Sequence, residues 1–117
     1  MFDRWVVEIK QKCDPQSLGM ILVHNGVVRG TSKDGKQVKK MQLSFDQDKL
    51  DYYLKAFKDR EGIAEIKVWI NHGLLRVGDD IMRVLVAGRF RTDVMPVFQE
   101  FLSVIKNDIV SEVEVCS

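Results

Sequence analysis

The feature that most restricts how this chain can fold is the stretch from Asn71 to Lys106, where an extended pattern gives way to a helical one. It reads as a hairpin turn from His72 to Asp79, an apolar strand from Asp80 to Gly88, a basic corner at Arg89-Phe90-Arg91, and a helix ending at Lys106. Side chains two apart on an extended chain share a side, so Arg89 and Arg91 reach the strand's far end together. The helix then carries an ammonium to its C-terminal tip. Cations gathered at the ends of rigid elements predict a pocket for an anion.

The flanking sequence supplies the partners this stretch needs. Trp5 to Lys10 is a short β-branched run and reads as a first strand. Asp14-Pro15-Gln16-Ser17 breaks it, with room for a single helical turn. Met20 to Val28 reads as a second, mostly apolar strand in which Gly26 suggests a bulge or a close approach. Thr31 to Gln37 is a polar loop around the turn pair Asp34-Gly35. Val38 to Phe45 alternates again, except where Lys40 and Met41 interrupt the period. Asp46 is a good N-cap for a helix carrying Leu50, Tyr53, Leu54 and Phe57 at i, i+3, i+4 and i+7, stopped near Gly62. Ile63 to Asn71 alternates with Ala64, Ile66, Val68 and Ile70 on one face. Thr92 or Asp93 is expected to cap the second helix, with Pro96 in its first turn and Val94, Val97, Phe98, Phe101, Leu102 and Ile105 as its buried stripe. Ile109 to Val115 closes the chain as a strand. The expected order is β-β-β-α-β-β-α-β, an α+β fold in which two amphipathic helices pack on a largely antiparallel sheet.

At 117 residues, one domain spanning 1–117 with one core is expected. Eighteen Lys plus Arg against seventeen Asp plus Glu leave a net charge of +1, so no whole-protein field favours nucleic acid or a membrane surface. No apolar run reaches the roughly 18 residues a membrane span needs, and no leader pattern opens the chain. Cys13 and Cys116 have no CxxC spacing and no histidine at ligand distance, which argues against a metal site. It fits two free thiols in a cytoplasmic protein.

Each candidate residue has a plain alternative. Lys106 is either an active-site amine or a solvated lysine complementing the negative end of a helix. Arg29, Arg91 and Arg89 are either anchors for phosphate and carboxylate, to which a planar fork is suited, or surface cations. The loop from Arg29 to Lys40 holds five basic residues and one acid; it is either a solvated loop or a screen for an anion. No aromatic platform is interleaved with its lysines, which excludes a stacking nucleic-acid surface. His24, inside an apolar strand, reads as a hydrogen-bonded core histidine. Trp5 and Trp69 read as core or dimer packing.

Two motif sets resemble the molybdopterin synthase large (catalytic) subunit family, a MoaE-like pattern. Gly19 followed by an apolar strand and Gly26-Val27-Val28-Arg29 is similar to its G-x-V-R segment. Gly73-Leu74-Leu75 with Gly78-Asp79-Asp80-Ile81 is similar to its G-x-L-x-x-G-[DE] hairpin. The similarity covers about residues 17 to 106. It implies the α/β hammerhead type of fold and a homodimer. It also implies a small ubiquitin-fold sulfur-carrier subunit whose Gly-Gly C-terminus bears a thiocarboxylate. Sulfur would pass from that tail to a pterin phosphate, cyclic pyranopterin monophosphate, in molybdenum cofactor biosynthesis, with no cofactor of the enzyme's own. By the same resemblance Lys106 matches a catalytic lysine, and Arg29 and Arg91 match substrate-binding arginines, the three converging on one cleft.

Three positions depart from the family pattern. Phe90 stands where the family has a histidine. Val110 to Val113 lacks the second lysine of the Pro-x-Trp-Lys stretch. Ile70-Asn71 replaces a His-Arg pair. These departures favour an alternative, a binding module for a ubiquitin-fold partner that has lost catalysis.

Overall fold

A single strand, β5 (Asp80–Gly88), forms the middle of the molecule, and the computed structural model, which describes residues 1–116, is built outward from it. β5 pairs antiparallel with β1 (Met20–Val27) on one side and β3 (Ile63–Ile70) on the other. Residues 84–88 are buried without a break, because both faces of this sheet are covered. Val84 and Val86 face the main core. Leu85 and Ala87 face a smaller cluster with Ile9. A strand covered on both faces loses the polar alternation of a half-exposed one.

The cover on the second face is α1 (Phe2–Lys12), which corrects the expected first strand at Trp5 to Lys10. Val6 and Val7 suggest a strand locally, yet Phe2, Trp5, Val6 and Ile9 recur at i, i+3, i+4 and i+7, the spacing of a helix face. Ile9 is buried against Leu85 and Ala87, whereas Val7 is 53% exposed. Glu8 on its outer side takes the Lys67 ammonium at 3.0 Å. Trp69 packs under the Arg83 guanidinium, 5.5 Å from its ring centre.

The second sheet has the order β4-β2-β6, all antiparallel, with β2 at Val38–Phe45, β4 at Gly73–Arg76 and β6 at Val110–Cys116. The expected link between two neighbouring strands is therefore itself a strand. β4 leaves β3, crosses to pair with β2, and returns through Gly78 to β5. Gly73 and Gly78 sit at φ +95° and +92°, conformations that glycine adopts without a Cβ penalty. The interrupted period in β2 is a register shift between Val38 and Lys40, which turns both Lys39 and Lys40 to solvent while Val38 and Met41 stay buried.

Between the sheets' shared core and solvent lie α2 (Gln47–Lys58) and α3 (Arg91–Val104). Asp46 caps α2 by accepting from the Lys49 amide at 3.1 Å, as its sequence predicts. Phe101 is fully buried and meets Phe57 of α2 edge-on at 5.3 Å. α3 begins two residues earlier than expected. Phe90, in extended backbone, is its N-cap and offers its carbonyl to the amides of Asp93 and Val94. Asp93 does not cap because its carboxylate accepts from Arg89 Nε at 3.2 Å. Pro96 consequently lies in the second turn, on the exposed side of the helix. The chain thus keeps the α+β class, with three helices and two antiparallel sheets in place of two helices and one sheet.

Candidate functional site

β1 runs inward-facing side chains at Met20 and Leu22 along the main core and then reaches His24 and Gly26. The strand ends in a register shift between Gly26 and Val27, the bulge that Gly26 foreshadows. Val28 is buried behind it, and Arg29 emerges exposed with Nε donating to the Thr31 carbonyl at 2.7 Å. The loop that follows is closed by a Thr31–Gln37 bridge and by Ser32, whose hydroxyl meets the Asp34 carboxylate and accepts from the Lys36 amide at 3.0 Å. Gly35 turns it at φ +85°. A turn held this way holds Lys33 at its tip.

Facing this loop is the end of α3. The helix does not stop at Lys106; after Val104 it widens into a π-helical turn, Ile105–Ile109. Turns of this kind are rare and are frequent at functional sites. Ile105 and Ile109 are both buried and leave Lys106 on the solvent side. The turn is tied to α2 through Asp108, which accepts from the Tyr53 hydroxyl at 2.5 Å and from the Lys49 ammonium at 3.2 Å. Both contacts hold the Asp108 carboxyl below the usual carboxylate range, the Tyr53 hydrogen bond first.

The bulge, the loop, the π turn and β6 enclose a cleft of about 900 Å³. Its wall is apolar, from Met41, Met82, Leu102 and Ile105, and its polar lining includes Arg29, Lys33 and Lys106. Lys106, then burial and the Arg29 charge, pull the Lys33 amine below its ordinary pKa, with Glu112 acting weakly the other way. Among the described residues, none of these three cations has a carboxylate at ion-pair distance. Asp34, Glu112 and Glu114 also line the cleft but stand outside ion-pair distance of these cations, which stay available to an anionic guest. Two smaller clefts, between α2 and α3 and beneath α1, bring no such group of cations together.

Of the residues singled out in the sequence, the structure brings Arg29 and Lys106 together. It leaves Arg89 and Arg91 apart from them within one chain. Arg91 is the first residue of α3 and Lys106 follows its last, so about 22 Å of helix separates them at 1.5 Å per residue. Arg89 is engaged where it stands, paired with Asp93 at 3.2 Å and Glu61 at 3.5 Å and stacked on the Phe90 ring at 4.8 Å. Phe90 itself is 58% exposed.

Two residues of the cleft are assigned differently by the sequence. Lys33 counts there only as one of five basic loop residues, although the Asp34-Gly35 turn beside it is the signal that fixes its position. His24 is not a hydrogen-bonded core histidine. It is partly exposed, lines the cleft, and makes no side-chain hydrogen bond among the described residues. Burial lowers its pKa. Cys13 and Cys116 are both free thiols.

The family model described as "MoaE protein" matches residues 3–108. Molybdopterin synthase from Staphylococcus aureus superposes with a TM-score of 0.76 at 16% identity, over 96% of this chain and 84% of that one. The complex of subunits 1 and 2 of molybdopterin-converting factor from Helicobacter pylori 26695 gives 0.70 at 15% identity, over 99% and 80%. The molybdopterin biosynthesis MoaE protein from Burkholderia ambifaria MC40-6 gives 0.73 at 18% identity, over 100% and 84%. At these identities the likeness establishes the fold. No curated protein matches the chain by sequence.

Proposed function

The chain belongs to the MoaE protein family of molybdenum cofactor biosynthesis, and from that membership we propose that it is the large subunit of a molybdopterin synthase. In this reading it moves sulfur from the thiocarboxylated Gly-Gly tail of a small ubiquitin-fold subunit to cyclic pyranopterin monophosphate, in the cytoplasm. The observation that carries the proposal is the meeting of Arg29 and Lys33, from the loop after β1, with Lys106 of the π turn, beside an apolar wall.

Both reactants are anions at the reacting end, a thiocarboxylate and a phosphate, and they repel each other in water. A cleft with three unpaired cations offsets that repulsion, and the apolar wall strengthens the attraction by displacing solvent. Arg29 suits the phosphate, which its planar fork binds through two oxygens. Lys106 is the central amine. Lys33, whose proton Lys106 makes easier to remove, takes the role of the second lysine that β6 lacks. Arg91 stands at the opposite end of α3 and serves the cleft of a second copy in a homodimer, while Arg89 holds that corner through Asp93 and Glu61.

The test is a single-turnover assay with the thiocarboxylated small subunit and cyclic pyranopterin monophosphate. Lys106→Ala is expected to slow dithiolene formation by about 100-fold or more while its circular dichroism stays that of the parent. Parent-like turnover in that variant would remove Lys106 from the mechanism. The second reading, a binding module without catalysis, draws on Phe90, exposed and without a titratable group in place of the family histidine. It requires that the small subunit bind the parent chain and that no sulfur be transferred.

A further inference from the structure

Sulfur delivered by a thiocarboxylate leaves the substrate joined to the donor tail. Once the tail's sulfur has bonded to a substrate carbon, the tail carbonyl and that sulfur form a thioester. Freeing the product then requires water: a C–O bond forms at the tail carbonyl, the C–S bond breaks, and its electron pair leaves on sulfur as a thiolate. One water proton must go to a base at the moment of attack. Phe90 cannot take it, and Lys106, charged to hold the anions, cannot do so at the same time.

We infer that His24 is the base for this step, its Nε2 taking the proton from the water that attacks the tail thioester. The argument rests on the sulfur-transfer reading of the cleft and on three further observations. His24 is the inward residue of β1 that follows Met20 and Leu22, so the strand's pleat sets its direction toward the cleft. Gly26, next in that inward row, has no side chain, and a Cβ placed there would lie 3.4 Å from His24 Nε2 and 3.5 Å from Met82 Cγ. The space over Gly26 is therefore about that of one methyl group, which admits a water beside the ring nitrogen. Among the described residues His24 has no hydrogen-bond partner, which leaves that nitrogen free.

The charges around the cleft suit the role. Arg29, Lys33 and Lys106 line it together with Asp34, Glu112 and Glu114. Burial, the cause of its lowered pKa, keeps the imidazole neutral at pH 7 and able to accept a proton. The cations that bind the reactants also stabilise the departing thiolate.

The experiment compares the parent chain, His24→Gln and Gly26→Ala in the same single-turnover assay across pH 5 to 8, with intact-mass detection of the tail–substrate thioester. Expected for His24→Gln is accumulation of the thioester, a hydrolysis rate lower by about 100-fold, and loss of the parent's acid limb, which burial of the imidazole places below the ordinary histidine range. Gly26→Ala keeps the imidazole and meets its neighbours at ordinary contact distance, so it is expected to fold and to slow the same step by crowding Nε2. A parent that transfers no sulfur overturns the functional reading and His24's role with it. A parent that transfers sulfur while both variants hydrolyse at its rate, acid limb included, overturns the His24 assignment alone.

Discussion

Gly88→Ala is expected to be among the most destabilising single-methyl additions the chain can suffer. Gly88 lies where the three strands β1, β5 and β3 end together, paired with Met20 on one side and Ile63 on the other. Its carbonyl accepts the Gly19 amide at 2.7 Å, and the next amide, Arg89, donates to the Gly62 carbonyl at 2.8 Å. A Cβ on Gly88 would sit 2.6 Å from Val94 Cγ2 and closer still to the Gly62 carbonyl oxygen, whereas ordinary contact begins at 3.4 Å. Neither neighbour can rotate away, since one is backbone and the other a fully buried side chain at the start of α3.

The strands must therefore part by close to an ångström. Forcing a methyl into a packed site costs about 1–3 kcal/mol. Stretching the two backbone hydrogen bonds adds about 1 kcal/mol each. The sum is about 4 kcal/mol, against a total stability of about 5–15 kcal/mol for a domain of this size. With an unfolding entropy of about 2.1 cal/mol/K per residue, that is a fall in Tm of about 15 °C. Urea titration and a thermal melt followed by circular dichroism measure both quantities. Gly35→Ala is the control: Gly35 has positive φ but nothing within 4 Å of its Cβ position, so only the conformational penalty of about 1 kcal/mol applies. A Gly88→Ala protein no less stable than Gly35→Ala would refute the crowding argument.

Two further outcomes follow from the site's surroundings. Asp108 has its pKa depressed by Tyr53 and Lys49, so its contribution to stability is complete above the unfolded carboxylate pKa near 4 and is lost as pH falls through the lower folded value. Asp108→Asn takes up no proton, and the gap between its urea midpoints at pH 7 and pH 3 is expected to be narrower than the parent's. Arg89→Ala removes contacts to Asp93, Glu61 and Phe90. It is expected to lower Tm while leaving inorganic phosphate affinity unchanged by calorimetry, whereas Lys33→Ala weakens phosphate binding at parent-like Tm.

Legibility in the sequence divided along the distance over which each signal acts. α2, β3, β5 and α3 were readable because their patterns are long and their caps local: Asp46 before α2, Gly62 after it, and the i, i+3, i+4 spacing of Val94, Val97 and Phe101. α1 was misread because two adjacent valines outweigh a helical stripe in a short window. The strand character of β4 depends on β2, more than thirty residues earlier, and four residues carry too little pattern of their own. The resemblance in the glycine and arginine motifs led to the right fold. Lys106 and Arg29 are legible by type and motif, and the resemblance points them to one cleft. The separation of Arg91 from Lys106 is not legible, because it depends on where α3 begins and how far it runs. His24 looked like core because strand alternation gives direction and not depth.

The pairing of β2 with β6 joins Lys40 to Val115 across most of the chain's length. Contacts so distant along the sequence are costly to close and are made late when a chain folds. The cleft needs this pairing, since β6 supplies one of its walls. Its cations would thus lie scattered in any partly folded species, and binding competence would arrive only with the final chain closure. A guest held there would then act chiefly as a brake on unfolding and would do little to hasten folding.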